Sequence, residues 1–145
     1  MRRTEYMVKG CDPATLTVRQ LMEDAVVTCS PQASGFDIAR ILSEWNFGSV
    51  PIVDEDKTLM GLVSESDLLD AVIAGKDLRT IKASDLMTKQ VVTASEDTTL
   101  VDLATLFQDR YLIRVPVVNG RKLVGIVARR DIVFGYVKAR SDYWP

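Results

Sequence analysis

An internal repeat is the feature that most constrains the fold of this 145-residue chain. The residues that recur 65 positions later are Leu21, Met22, Val26, Val27, Thr28, Val50 and Pro51. Beyond a polar turn the offset is 64, which relates Gly61 to Gly125 and Asp67 to Asp131. The one deletion lies in that turn, where Asn119-Gly120 predicts a tight type I′ hairpin. Matches in register with one deletion in a loop indicate a duplicated folding unit.

Hydrophobic periodicity predicts the same order of elements in each repeat: strand, helix, strand, strand, helix. In the first repeat these are a strand over 25–28, a helix over 34–45, strands over 50–53 and 59–63, and a helix from Asp67 to about Ala74, which Gly75 ends. Neither unit is long enough to bury both faces of its sheet. We therefore predict an α+β fold in which two units pack sheet to sheet about a pseudo-twofold axis.

The repeat also predicts the domain boundaries. An N-terminal arm covers 1–16, the first repeat 17–76, a linker and the second repeat 77–140, and a C-terminal tail 141–145.

The composition excludes several classes of chemistry. Hydrophobic residues make up 47 % of the chain, as in a globular protein, and no apolar run is long enough for a membrane span or a signal peptide. The absence of histidine removes histidine-based catalytic dyads and most zinc sites. Cys11 and Cys29 lack the spacing of a metal or redox pair. We therefore expect a cytoplasmic protein with no catalytic residue, no metal and no required cofactor.

Charge is distributed unequally between the repeats. From Leu16 to Lys76 there are 4 basic and 10 acidic residues, a balance of −6. From Ile81 to Arg140 there are 10 basic and 6 acidic residues, a balance of +4. Opposite charges indicate different functions for the two repeats or complementary faces in a dimer. Evolutionary drift of solvated surface residues explains the charge difference equally well. The net charge of −2 gives no case for binding nucleic acid.

The segment Gly61–Asp67 predicts a strand that turns directly into a helix. Its Ser-x-x-Asp pattern is typical of a capping box. A helix start with short hydroxyl side chains also suits the oxygens of a phosphate or a ribose. The second copy, Gly125–Asp131, keeps the aspartate but replaces both serines, with Ala128 and Arg130.

The order Leu-Met, Val-Val-Thr, helix, Val-Pro-hydrophobic-Val and Gly-hydrophobic-Val-x-x-x-Asp resembles the cystathionine beta-synthase (CBS) domain. Two copies in tandem, from about Thr17 to Lys138, resemble a CBS pair, also called a Bateman module. The resemblance implies a non-catalytic sensor that binds AMP, ADP, ATP or S-adenosylmethionine in a cleft between the repeats. It also implies a homodimer that passes the ligand's state to a regulated protein. The alternative is a structural or dimerisation module with degenerate clefts.

The resemblance also implies which residues bind the ligand. For nucleotide binding they are Ser64, Ser66, Asp67, Thr88, Gln90, Val91, Ile113 and Arg114. In this assignment Asp67 accepts from the ribose hydroxyls, the main chain at Val91 binds the adenine edge, and Arg114 donates to phosphate. For a second, weaker cleft they are Val26, Ser49, Arg110, Arg130 and Asp131.

Overall fold

The structure, a computed structural model, describes residues 12–140, which form two compact units. The first unit contains residues 12–26, 92–120 and 124–140, and the second contains 27–91 and 121–123. Each unit therefore combines segments of both sequence repeats. The predicted tail over 141–145 and most of the predicted arm, 1–11, lie outside the described residues.

Helices and strands alternate along the described chain. In chain order they are a 3-10 turn at Pro13–Thr15, α1 Val18–Leu21, α2 Gly35–Trp45, β1 Ser49–Val53, β2 Leu59–Ser64, α3 Glu65–Ile73, α4 Ala83–Leu86, β3 Ala94–Ser95, α5 Leu100–Arg110, β4 Arg114–Asn119, β5 Lys122–Ala128 and α6 Arg129–Arg140. This mixed content confirms the α+β prediction, and the helices over 35–45 and 65–73 lie close to the predicted ranges.

In the second unit, β1 and β2 form an antiparallel pair with Ser49 opposite Ser64. Helix α2 follows Ser34, whose side chain accepts a hydrogen bond of 3.1 Å from the amide of Asp37. This cap satisfies an amide that the helix itself leaves without a partner. The buried hydrophobic core of the unit includes Ile38, Leu42, Val50, Ile52, Val63 and Leu68.

Strands β3, β4 and β5 form a three-stranded sheet, which lies in the first unit except for the first two residues of β5. The buried core of the first unit combines α1 with side chains from α5, β4, β5 and α6. The core residues from the beginning of the described chain are Leu16, Val18, Leu21 and Met22. The start of the first repeat is therefore part of the core that the second repeat builds.

The first strand predicted for each repeat is missing from the first repeat and only two residues long in the second. Residues 25–28 form no strand, and this region of the chain contributes only a single parallel bridge between Cys29 and Ile52. In the second repeat only Ala94–Ser95 pairs with β4. The chain passes from one unit to the other within these segments, because Glu23 bridges to Ile126 in the first unit before Cys29 enters the second. Residues 24–28, which connect these two bridges, belong to no strand.

The predicted type I′ turn at Asn119-Gly120 was also wrong. Asn119 is the last residue of β4, and the turn consists of Gly120 and Arg121. Of these two, only Gly120 has a positive φ, 62°. A glycine with positive φ at the first central position is typical of a type II′ turn.

Gly61 lies where β2 is crossed by the segment that begins the second repeat. Leu62 and Thr88 exchange two backbone hydrogen bonds, of 3.0 and 2.9 Å. A Cβ atom at Gly61 would lie 2.7 Å from Sδ of Met87 and 2.8 Å from the backbone oxygen of Thr88. Only glycine allows the two backbones to approach this closely.

The first unit repeats this arrangement at Gly125. Ile126 and Glu23 exchange two backbone hydrogen bonds, of 2.9 and 2.8 Å. A Cβ atom at Gly125 would contact Sδ of Met22 and would lie 3.1 Å from the backbone oxygen of Glu23. We call 22–23 and 87–88 the exchanged segments, because each pairs with a strand of the other repeat.

We predict that Gly61→Ala lowers the free energy of unfolding by about 1–3 kcal/mol, because the added methyl group must displace the backbone of an exchanged segment. Gly48→Ala is the matched control, since its Cβ would lie at an ordinary 3.5 Å from Oε1 of Glu65. Urea denaturation of both variants measures the difference. Equal midpoints for the two variants would contradict the role assigned to Gly61.

Candidate functional site

Helix α3 begins with a complete capping box. The Ser64 hydroxyl accepts from the amide of Asp67 at 3.2 Å, and Oδ2 of Asp67 accepts from the amide of Ser64 at 2.8 Å. Oδ2 of Asp67 also accepts from the Ser64 hydroxyl at 3.0 Å. These bonds hold Oδ2 of Asp67 against Ser64, and the capping interpretation of this motif is correct.

The second carboxylate oxygen of Asp67 points toward the exchanged segment. Thr88 donates from its hydroxyl to Oδ1 of Asp67 over a long 3.4 Å. Thr88 is exposed and Asp67 is half-buried, so their contact lies near the surface of the second unit. An ionised carboxylate has about four acceptor positions, and this arrangement leaves Oδ1 with capacity for another donor.

Other residues predicted for the nucleotide site lie in the same unit. Ser66 is exposed in the first turn of α3, and Gln90 and Val91 follow Thr88 after the exchanged segment. Gln90 is exposed and Val91 is half-buried. Asp67 thus contacts both Ser64 and Thr88 directly. Ser66, Gln90 and Val91 lie in the same unit as these three residues.

Ile113 and Arg114 belong to the first unit. Arg114 begins β4, and its guanidinium interacts electrostatically with Asp131 in the same unit. Burial lowers the pKa of Arg114 from its ordinary value; the negative charge of Asp131 opposes this, and the positive charge of Arg130 adds to it. The predicted contribution of Ile113 and Arg114 to the nucleotide site stays a prediction.

Asp131 occupies the position in α6 that Asp67 occupies in α3. It is buried, with 4 % of its surface exposed, and its Oδ2 accepts from the amide of Ala128 at 2.7 Å. Ala128 has no hydroxyl group, so only half of a capping box can form here. The first unit therefore places a buried carboxylate beside Arg114 where the second unit has a serine–aspartate pair.

The remaining residues of the predicted weaker cleft are divided between the units. Val26, Arg110 and Arg130 are in the first unit with Asp131, whereas Ser49 is in the second. Ser49 is buried opposite Ser64. Arg110 is exposed at the last residue of α5, where a cation suits the negative end of the helix.

The pairing of Arg114 with Asp131 was not anticipated from the sequence. The repeat offset held the necessary signal, because Arg114 is the equivalent of Ser49 and Asp131 of Asp67. Ser49 begins β1, and Asp67 lies in α3 just after the paired strand β2. Arg114 and Asp131 have the same positions relative to β4 and β5. An arginine and an aspartate at these equivalent positions predict an interaction once the strand pairing is known.

Neither a candidate membrane span nor a candidate metal-binding cluster occurs in residues 12–140. No helix there is long and apolar enough to cross a membrane. The same part of the chain holds no group of three or more His, Cys, Asp or Glu side chains placed to bind a metal ion.

Comparison with known proteins identifies both repeats. The CBS domain family matches residues 18–74 and 83–138. The uncharacterized protein MK0525 of Methanopyrus kandleri is 33 % identical over 121 residues, which are 82 % of this chain and 62 % of that protein. This chain therefore spans less than two thirds of that relative's length.

Solved structures of CBS domain proteins share the fold. The crystal structure of CBSX2 in complex with AMP matches with a TM-score of 0.76 and 28 % identity, covering 86 % of this chain and 98 % of that one. The CBS domain pair of protein MJ0100, in complex with 5′-methylthioadenosine and S-adenosyl-L-methionine, matches with a TM-score of 0.72 and 30 % identity. That match covers 82 % of this chain and 94 % of the other.

We predict opposite effects of exchanging serine and alanine between the two motifs. Ser64→Ala removes the cap of α3 and lowers the free energy of unfolding by about 0.5–2 kcal/mol. Ala128→Ser completes the capping box of α6 and raises it by up to about 1 kcal/mol. Thermal unfolding of the two variants provides the measurement. A fall in stability for Ala128→Ser would show that Asp131 is held in a geometry that a cap does not tolerate.

Proposed function

We propose that this chain, which belongs to the CBS domain family, is a non-catalytic regulatory module that binds an adenosine-containing ligand. The candidate ligands are AMP, ADP, ATP and S-adenosylmethionine. The module would act in the cytoplasm as a homodimer and pass the ligand's state to a regulated protein. The observation that carries the proposal is the contact of Asp67, which the capping box holds, with Thr88 at the surface of the second unit.

The ligands of similar proteins support this choice. CBSX2 was crystallised with AMP, and the MJ0100 pair with 5′-methylthioadenosine and S-adenosyl-L-methionine. These ligands share an adenine base and a ribose or modified ribose. The part common to all of them is therefore what a shared site in this family would bind.

The chemistry of Asp67 suits a ribose. Two neighbouring sugar hydroxyls supply two donors, and an ionised carboxylate only accepts. Oδ2 is occupied by Ser64, whereas Oδ1 has one long contact with the hydroxyl of Thr88. A ribose hydroxyl donating to Oδ1 could also accept from Thr88, which would satisfy all three groups.

The other residues of the proposed site extend from this contact. Ser66 is exposed in the first turn of α3, where amide groups and a hydroxyl favour an anionic oxygen. On the other side, Gln90 and the main chain at Val91 continue from Thr88 and would bind the edge of the adenine. Ser64 acts mainly by positioning Asp67.

The first unit would bind a different ligand or bind more weakly. Arg114 and Arg130 place two positive charges near Asp131, and Glu23 stands in the position of Thr88. Two arginines favour a phosphorylated or otherwise anionic ligand, whereas a buried carboxylate and Glu23 oppose one. Unequal sites are therefore part of the proposal.

A dimerisation module with degenerate clefts is the alternative function. The complete capping box favours it, because Ser64 and Asp67 stabilise α3 without any ligand. The two functions differ in whether loss of the Asp67 carboxylate changes ligand affinity or only stability.

We predict that Asp67→Ala weakens binding of AMP, ATP or S-adenosylmethionine about 10- to 100-fold, the cost of losing a hydrogen bond to a charged group. Titration calorimetry with each ligand gives the affinity. Asp37→Ala is the matched control, since Asp37 occupies the same position after a serine cap in α2. It would lose a similar helix-dipole interaction and keep full affinity.

Thr88→Ala separates the ligand role of this site from its capping role. It leaves the capping box intact, so stability should stay near that of the native chain while affinity falls several-fold. No heat with any of the three ligands, or equal affinity for the Asp67 and Asp37 variants, would overturn the proposal in favour of the dimerisation module.

A further inference from the structure

The aspartate at the start of α6 is shielded from solvent, whereas its counterpart in α3 is not. Asp67 is half-buried, and its contact with Thr88 lies near the surface of the second unit. Asp131, the equivalent residue of the first unit, has only 4 % of its surface exposed. A ligand in solvent therefore has access to the carboxylate of Asp67 that it does not have to the carboxylate of Asp131.

The main chain around the two aspartates is the same, so it does not explain this difference. The oxygen of Ile113 accepts from the amide of Arg129 at 3.0 Å, and the equivalent bond of the second unit measures 3.1 Å. Oδ2 of Asp131 accepts from the amide of Ala128 at 2.7 Å, and the equivalent bond of Asp67 measures 2.8 Å. The difference must therefore come from the side chains.

The side chain at the start of the preceding strand pair differs between the units. Ser49 begins β1, and Arg114 begins β4 at the equivalent position. Arg114 directly follows the residue that is hydrogen-bonded to α6, and it is half-buried. Its guanidinium and the carboxylate of Asp131 attract each other. A buried carboxylate needs such a positive charge, because burying an unpaired charge is costly.

We propose that Arg114 closes the first unit to adenosine-containing ligands, because it neutralises and covers the carboxylate that would otherwise accept from a ribose. A guanidinium has five N–H donors, so it supplies from within the chain what two ribose hydroxyls would supply in the second unit. A ribose would have to break an interaction between a buried carboxylate and a half-buried arginine, and breaking such a pair is costly. The chain therefore binds one adenosine-containing ligand, in its second unit.

This inference rests on the proposed function and deepens it, because it names the residue that makes the two sites unequal. Arg130 is exposed at the position of Ser66, so a positive charge for a phosphate remains when Arg114 is replaced. Glu23, at the position of Thr88, opposes a phosphate. The opened first unit should therefore bind AMP, but more weakly than the second unit does.

Arg114→Ser tests the inference, because it gives the first unit the residue that the second unit has at this position. Titration calorimetry with AMP should show one site per native chain and two sites per Arg114→Ser chain. Adding Asp67→Ala to Arg114→Ser should leave the new site unchanged, which assigns it to the first unit. Arg140→Ser is the matched control, since it removes an exposed arginine from the other end of α6 and should keep one site.

A double-mutant cycle tests the interaction of Arg114 with Asp131 without any ligand. Urea denaturation compares Arg114→Ser, Asp131→Asn and the double variant. We expect a coupling of at least about 5-fold in the unfolding equilibrium constant, because each single change leaves one charge without its partner. The double variant leaves neither charge, and its amide oxygen still accepts from a ribose hydroxyl. It replaces Arg114→Ser in the titration if circular dichroism shows that the single variant does not fold.

The outcomes separate this inference from the proposed function. Two sites in the native chain, or no second site after Arg114 is replaced, would overturn the inference and leave the proposed function standing. Additive losses of stability in the cycle would also overturn it. No heat from the native chain or from any variant would overturn the proposed function and this inference together.

Discussion

Two pairs of backbone hydrogen bonds hold the exchanged segments in place, Leu62 with Thr88 and Ile126 with Glu23. Because each pair joins the beginning of one repeat to a strand of the other, neither repeat forms a compact unit alone. The approach needs a glycine in each strand, which explains Gly61 without reference to any ligand. The same pairing places the Thr88 hydroxyl against Asp67, so the candidate site depends on it directly.

Local sequence patterns predicted most elements of the fold. The helices beginning at 35 and 65 have a capping serine and an apolar face, both of which are local signals. The tandem repeats and their family are confirmed by the match over 18–74 and 83–138. The first strand of each repeat was wrong, because its partner is decided by where the chain changes units, and β-branched composition does not contain that information.

The residue pattern by itself predicted only the local contacts of the candidate site, whereas Thr88 and Arg114 were assigned to it through the resemblance to the CBS domain. Ser64 and Asp67 are three residues apart, and their capping box follows from the motif. The contact of Asp67 with Thr88 joins residues that are 21 positions apart, and the interaction of Arg114 with Asp131 also spans two elements. Isolated glycines within predicted strands were the available signal for such crossings, since they often mark a close backbone approach.

The division of the chain into units determines the order in which its parts can fold during synthesis. Apart from 121–123, the second unit is one continuous stretch, residues 27–91, so nearly all of it leaves the ribosome before 92–140 has been translated. Residues 12–26 emerge earlier, yet the core that buries Leu16, Leu21 and Met22 comes from the later half. Since domains fold as units as they are translated, the middle of this chain matures first. Residues 12–26 can complete their packing only after α6 has been translated.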